Sequence, residues 1–476
     1  MNAPRRVLVV GGGVTGWSAA AALKRRVPLL DVAILPLAPP ADALADRIAG
    51  TLPSILGFHD DLGIGIDDGV LRTGSAYRLG TRFLGWGGEG SDYVHAYARH
   101  GEAIGGASFH LLWARAAMQG NVAPFDTFSP AAAMVRAGRL VLPNGDGLLG
   151  EHGFGLTLDL PRYAAMLTAF ARHVGVQVLP GTLRDAPLAP DGGIEAVILD
   201  DGTRLTADLY LDCSGPAGHL HGRLGADRED WRRWLPCDRL ILDPAPAGAL
   251  PPADTVTAEA AGWRWEGALQ SGRVFASAWA EHAQEAIAFE AGATLEPWRR
   301  NVVAIGDAAV TIEPLEWTNL HLAHSAIDRL IAMLPAGAPH PLEAAEYNRQ
   351  ALAEARRARD FVLLHYCANR REEPFWREVA SVEPPESLAH TLRLFRTRGR
   401  LPFHEEETFD RDSWLAVLFG QGVHPRHADP LADGVTPDEA AQAMAAFRAR
   451  IDQAIAPLPS PAAFLAAQSR SLHERA

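Results

Sequence analysis

Residues Arg6–Val10 (RVLVV) run directly into Gly11-Gly12-Gly13-Val14-Thr15-Gly16, and an Ala-rich stretch, Trp17–Arg26, follows. The first run is β-branched and almost wholly apolar, the pattern of a parallel strand buried on both faces. The Ala-rich stretch predicts a helix, and Asp31–Leu35 (DVAIL) predicts the next strand. The order is strand, G-x-G-x-x-G, helix, strand, which is the fingerprint of a dinucleotide-binding unit. In such a unit Gly11 permits the tight turn, Gly13 lets the backbone approach a diphosphate, and Gly16 lets the helix lie close to the sheet. The helix start, with Thr15 in its first turn, offers free N–H groups and a positive dipole end to phosphate. One position departs from the fingerprint. The second strand should end in Asp or Glu for the adenosine ribose, but Leu35 is followed by Pro36, with Asp42 and Asp46 nearby and off position.

Working outward, Pro161–Gly175 reads as an amphipathic helix, and Ile194–Asp212 as a hairpin turning at Asp201-Gly202. A Pro/Ala-rich linker lies around Pro244–Pro252. Asn301–Ile305 (NVVAI) is a second buried strand, ending in Gly306-Asp307-Ala308-Ala309, and the chain turns helical after Thr318. The tract Pro335–Pro341 is the best boundary, and amphipathic segments run from Leu342 to the end. The expected architecture is α/β: a Rossmann-like FAD-binding module of the glutathione-reductase/monooxygenase type over 1–338, with a mixed sheet and inserted substrate elements. A helical module over 339–476 closes the substrate cavity.

Composition narrows the function classes. The 476 residues carry a net charge of −13, which argues against nucleic-acid or anionic-membrane binding. No run of 18 apolar residues suggests a membrane span. Arg5-Arg6 before an uncharged stretch imitates a secretory signal, but the glycines at 11, 12, 13 and 16 break its apolar helix. Cys213, Cys237 and Cys367 are too far apart for a disulfide framework or a CxxC metal site, so a reducing cytoplasm is the expected home. No metal is expected. His321 and His324 share a helix face but lack a third ligand at usable spacing. Of 44 basic residues, only Lys24 is a lysine, a pattern that codon bias alone explains.

Gly306-Asp307 after a late strand is a second clue, because flavoproteins place such an acid against the ribityl hydroxyls. Paired with the opening motif it favours FAD over NAD. Further motifs follow in order. They are Tyr77-Arg78-Leu79-Gly80 with Phe83 and Gly85-Trp86-Gly87, then Asp212-Cys213-Ser214-Gly215 and Leu235-Pro236-Cys237-Asp238. Next come Gly262-Trp263-Arg264-Trp265, Ala304–Ala309 and Glu313-Pro314-Leu315-Glu316. Glu346-Tyr347-Asn348-Arg349, Leu364-His365-Tyr366 and Pro374-Phe375-Trp376 complete the set. Across nearly the whole chain this series resembles the flavin-dependent tryptophan halogenases.

The resemblance implies a chemistry. A separate reductase supplies FADH2, and O2 with chloride or bromide yields hypohalous acid at the flavin. That species travels to an active-site lysine, assisted by a glutamate, and an aromatic or indolic substrate is halogenated. Carried over by position, the glutamate is Glu316 and the lysine position holds Arg78. Gly11, Gly13, Thr15, Gly16, Asp307, Ala308 and Pro314 are the expected cofactor contacts. Thr318 and Asn319 stand where backbone amides bind halide, and Trp263 and Trp265 stand where the Trp-x-Trp motif shields the flavin. Several positions depart from the family pattern. Trp317 replaces a Ser, Asn319 a Gly or Ser, Glu266-Gly267 an Ile-Pro, and Ile48-Ala49 a Gly-Glu.

Arg78 matters most for mechanism. A lysine amine has a pKa of ~10.4 that burial lowers, so its neutral form is available for a haloamine. An arginine, at ~12.5–13.8, keeps its charge. Arg78 is then a group that holds hypohalous acid or a carboxylate, or a structural cation. Three readings stay open: a halogenase-like enzyme, a flavin monooxygenase or oxidase on the same scaffold, and a non-catalytic flavin-binding relic. The oligomeric state is open too, with a homodimer as one option.

Overall fold

Four consecutive apolar residues, Val7–Val10, suit a strand with both sheet faces covered, and Arg6–Val10 occupies that position. Val7–Val10 are buried, and the strand lies between Asp31–Leu35 and Leu209–Asp212, parallel to both. The sheet continues through Val302–Ala304, parallel to Leu209–Asp212, and ends at Trp298–Arg299. On the other side it ends at Gln177–Val178. The structure is a computed structural model, and it describes residues 6–120, 122–244, 248, 250–280, 286–335 and 340–475.

Helix Val14–Arg26 starts at the glycine turn and returns along the sheet. Ala19, Ala20, Ala21 and Ala22 are fully buried, which is why small side chains fill this helix. Leu160–Val174 and Thr318–Ala332 pack beside it. The first of these is capped by Asp159 and stopped by Gly175 in the left-handed conformation, as its amphipathic pattern predicts.

The expected hairpin at 194–212 is only half right. Val197–Leu199 pairs antiparallel with Arg204–Leu205, but Leu209–Asp212 leaves that ribbon and joins the central parallel sheet. All of Leu209–Asp212 is buried, so it belongs to a doubly covered sheet and not to a half-exposed hairpin arm.

The chain divides into two compact units. The first combines Met1–Ser75, Leu158–Leu240 and Ala283–Arg357; the second combines Ala76–Thr157, Ile241–His282 and Ala358–Ala476. The sequential division expected at 338/339 matches neither set of boundaries. The reason is a ladder between distant segments, Gly80–Leu84 parallel to Asp254–Glu259, which a left-to-right reading of chain breaks cannot reveal. Within the second unit, Gln270–Phe275, Gly262–Glu266, Asp254–Glu259, Gly80–Leu84 and Asp92–Ala96 are neighbours in that order. The helices expected after Leu342 are present, from Pro341–Cys367 to Pro461–Arg475. Parts of the expected breaks at 244–252 and 335–341, namely 245–247, 249 and 336–339, lie outside the described residues, as does Arg5. Among the described residues no helix is long and apolar enough to cross a membrane.

Candidate active site

The opening turn in the first unit is tight. Gly11 has φ 130°, and a Cβ there would overlap the Cys213 carbonyl. A Cβ on Gly16 would overlap the Gly11 carbonyl, so the helix lies against the turn as the fingerprint requires. Gly13 is different. The space a Cβ would fill there is taken by the Asp46 carboxylate. Asp46 Oδ1 accepts a hydrogen bond from the Thr15 N–H at 2.8 Å, in the first turn of the helix. Asp46 is nearly fully buried, and burial raises its pKa while the Thr15 amide opposes that rise.

The turn that carries Asp307 also borders this helix start. Gly306, at φ 66°, leaves open the space beside Thr15, where a Cβ would stand 3.0 Å from the Thr15 methyl. Asp307 Oδ2 accepts from the Ala45 N–H at 2.8 Å, and Oδ1 is buried with no hydrogen-bond partner. Burial, reinforced by the charge of Asp46, pushes the Asp307 carboxyl up to about 8. Ala308 follows in the same buried turn. Beyond Pro36 a cleft of about 760 Å³ opens between Leu37-Ala38 and the segments 181–186 and 217–223. Asp185 lines it and accepts from Arg223 at 3.1 Å.

This donor and acceptor set fits a flavin dinucleotide. The cleft has room for an adenosine, the helix start offers amides to a diphosphate, and Oδ1 of Asp307 can share a hydrogen bond with a ribityl hydroxyl. Asp46 is the one group at odds with the fit, since it already holds a diphosphate donor.

The turn after Glu313 is strained. Glu316 (φ 65°) and Trp317 (φ 60°) are consecutive left-handed residues and neither is glycine. Each such residue costs of order 1–3 kcal/mol. Glu313 and Glu316 are fully buried. The N-cap of helix Thr318–Ala332 is Trp317, not Glu316, and it makes no side-chain cap. The amides of Thr318 and Asn319 open that helix, where intrahelical acceptors are lacking. Asn319 Nδ2 donates to the Ile312 carbonyl at 2.8 Å, and the Thr318 hydroxyl is buried without a partner. Trp317 is accommodated by Gly50, where a Cβ would stand 2.6 Å from the indole. Residues 45–50 therefore touch both the Asp307 turn and the Glu316 turn.

His321 and His324 are committed elsewhere. His321 lies 2.7 Å from Ser54 Oγ and 3.2 Å from Glu354, while His324 stacks on Phe58 at 3.7 Å and meets Ser18.

Arg78 lies in the second unit and is 1% exposed. Its Nε is 2.9 Å from Asp254 Oδ2. Nη1 donates to the Tyr97 hydroxyl at 2.5 Å, and Nη2 donates to the Gly80 carbonyl and Thr81 Oγ1 at 3.1 and 3.0 Å. Burial raises the Asp254 pKa, and the adjacent guanidinium opposes it. A Cβ on Gly267 would overlap Asp254 Oδ1, so the Glu266-Gly267 departure makes room for the carboxylate that balances Arg78. Trp263 and Trp265 alternate with exposed Arg264 and Glu266 on strand Gly262–Glu266, and their ring centroids are 5.6 Å apart. Gly272 clears the space that the Trp265 indole fills.

Sequence reasoning missed Asp254, Tyr97, Gly50 and the cleft residues, and took Asp46 only as a misplaced ribose acid. No local signal marks Asp254 or Tyr97, because their roles arise from pairing across the sheet. Arg400 pairs with Asp429 at 2.7 Å.

The likenesses to known proteins extend over nearly the whole chain. The family model described as tryptophan halogenase matches residues 6–437. BrvH, a flavin-dependent halogenase from Brevundimonas sp. BAL3, is 34% identical with a TM-score of 0.92, covering 98% of this chain and 99% of that one. Xcc4156, a flavin-dependent halogenase from Xanthomonas campestris, is 34% identical with a TM-score of 0.90 and 98% of each chain covered. The tryptophan 6-halogenase SttH of Streptomyces toxytricini is 26% identical over 98% of this chain and 99% of its own. With the dinucleotide fold and the Glu316 turn already in place, these likenesses decide the assignment. The chain belongs to the tryptophan halogenase family, flavin-dependent oxidoreductases that use FADH2 from a separate reductase, O2 and halide on an aromatic substrate.

Proposed function

We propose that this chain oxidises chloride or bromide and delivers the halogen to an aromatic or indolic substrate, with Glu316 as the catalytic carboxylate. The buried, strained Glu316–Trp317 turn carries the reading, because backbone strain of this kind persists where a function requires the geometry. The reduced flavin, when bound, supplies the oxidising chemistry from O2.

The chain's own residues do the rest. Gly11, Gly13, Thr15 and Gly16 bind the dinucleotide at the helix start, Asp307 and Ala308 hold the ribityl side, and Pro314 sets the turn beneath it. The amides of Thr318 and Asn319 bind halide. Glu316 takes up the ring proton as the aromatic substrate is substituted. Trp263 and Trp265 keep substrate from the flavin, and the helices within 339–476 close the substrate cavity. Arg78 acts by holding a species with its fixed charge and does not capture halogen covalently. Cytoplasmic work suits a chain with three scattered thiols.

The test is purified protein with a flavin reductase, O2 and bromide over a panel of indoles and phenols, read by mass spectrometry. Brominated product supports the proposal. Oxygen insertion independent of halide, or no product from protein that binds FADH2, overturns it.

A further inference from the structure

We propose that Asp46 is a built-in anion that occupies the diphosphate position and competes with the flavin dinucleotide for the helix start. This rests on the flavin reading of the first unit. Three observations meet at one point. Asp46 Oδ1 holds the Thr15 N–H at 2.8 Å, in the turn where a dinucleotide unit presents its amides to phosphate. The Val14 amide acts on the same carboxylate. The room left by Gly13, whose missing side chain should admit the diphosphate, is filled by that carboxylate.

An independent feature shows that the site is built for a ligand. Asp307 is 3% exposed and sits beside Thr15, and its Oδ1 has no hydrogen-bond partner. A buried carboxyl oxygen without a hydrogen-bond partner is costly, and a ligand hydroxyl, which both donates and accepts, removes that cost. Its other oxygen takes the Ala45 amide, one residue before Asp46. The chain that carries the competing anion is thus also bound by the residue that waits for the ribityl group.

One amide proton cannot serve both Asp46 and a phosphate oxygen, and two anions at one helix start repel. Dinucleotide binding therefore requires Asp46 to withdraw. The apparent Kd is the intrinsic one divided by the fraction of molecules with Asp46 withdrawn. Asp46 sets flavin affinity and favours rapid release of the spent cofactor to the reductase. Gly50 packs on Trp317 four residues farther along, so withdrawal also bears on the Glu316 turn.

Titration calorimetry of the wild type, D46A and D46N with FAD, and anaerobically with FADH2, tests this. Riboflavin, which lacks the diphosphate, is the control probe. The expected result is FAD binding roughly five- to thirtyfold tighter in D46A, a smaller gain in the isosteric D46N, and unchanged riboflavin affinity. D46N carries the test if D46A does not fold. Equal or weaker FAD binding in the folded variants overturns the competition, as does an equal gain for riboflavin. Failure of every form, wild type included, to bind FAD overturns the flavin reading itself.

Discussion

Replacing Arg78 by lysine installs the residue type that the family resemblance implies at this position, yet the surroundings of Arg78 predict that R78K alone forms no haloamine. The guanidinium spans Asp254 on one edge, Tyr97 on another and Gly80 with Thr81 on a third. An ammonium is a point charge and cannot reach all of them. Hydrogen bonds to a charged group are worth about 1.5–3 kcal/mol each, so R78K is expected to lose about 2–4 kcal/mol of stability. D254N leaves the arginine charge buried without its counterion, at a cost of about 3–5 kcal/mol. In the double variant the two losses overlap, and a double-mutant cycle is expected to show a coupling of about 1–3 kcal/mol. The chemistry follows from the same pair. Beside a buried carboxylate the new lysine stays protonated, whereas in R78K/D254N burial is free to lower its pKa from ~10.4. The assay exposes each variant to a limiting dose of hypobromous acid and reads bound haloamine by iodide oxidation. Background from other lysines is low because Lys24 is the single native lysine, and its Nζ donates to the carbonyls of Pro28 and Leu30; the unsubstituted protein gives the background from other side chains. Equal haloamine in R78K and R78K/D254N refutes the reasoning, and so does a D254N cost below about 1 kcal/mol.

Other outcomes are equally specific. Gly50→Ala is expected to cost about 1–3 kcal/mol in urea unfolding, because its methyl would stand 2.6 Å from the Trp317 indole, and W317S should remove most of that cost. Asp307 keeps its proton in the folded protein up to about pH 8 but ionises near 3.8 when unfolded. The folded state then binds more protons, so stability is expected to fall as pH rises from about 5 to 8, by at most about 1.4 kcal/mol per pH unit for this one group. D307N should flatten that slope in pH-dependent unfolding curves. Under the proposed mechanism, Glu316→Gln is expected to lower bromination by roughly two to four orders of magnitude while the melting temperature hardly moves.

The parts of this molecule that were legible in the sequence are those whose causes are local. A four-residue apolar run, three spaced glycines and an Ala-rich helix specify their own geometry, and Gly11 and Gly16 are packed as that geometry demands. The Glu313–Asn319 turn was legible as a motif, but its paired left-handed residues were not, because neither Glu nor Trp advertises a positive φ. What the sequence hid was partnership across distance. Leu209–Asp212 reads as a hairpin arm until its neighbours in the parallel sheet are known. Asp46 reads as a stray acid until Gly13 is placed against it.

Arg78 is the sharpest case. One lysine among 44 basic residues is enough to explain an arginine at any surface position by codon bias. Bias acts on each codon without regard to distant contacts. It does not place Asp254 at 2.9 Å from the Arg78 Nε, nor a glycine at 267 whose missing Cβ leaves room for that carboxylate. A buried charge without such a partner costs several kcal/mol, a large share of what any domain has to spare. An arginine at this position without that carboxylate would destabilise the fold by a comparable amount. The compensated arrangement argues that the fixed cation at position 78 and its counterion work as one unit, and that exchanging the single residue for lysine leaves haloamine chemistry out of reach.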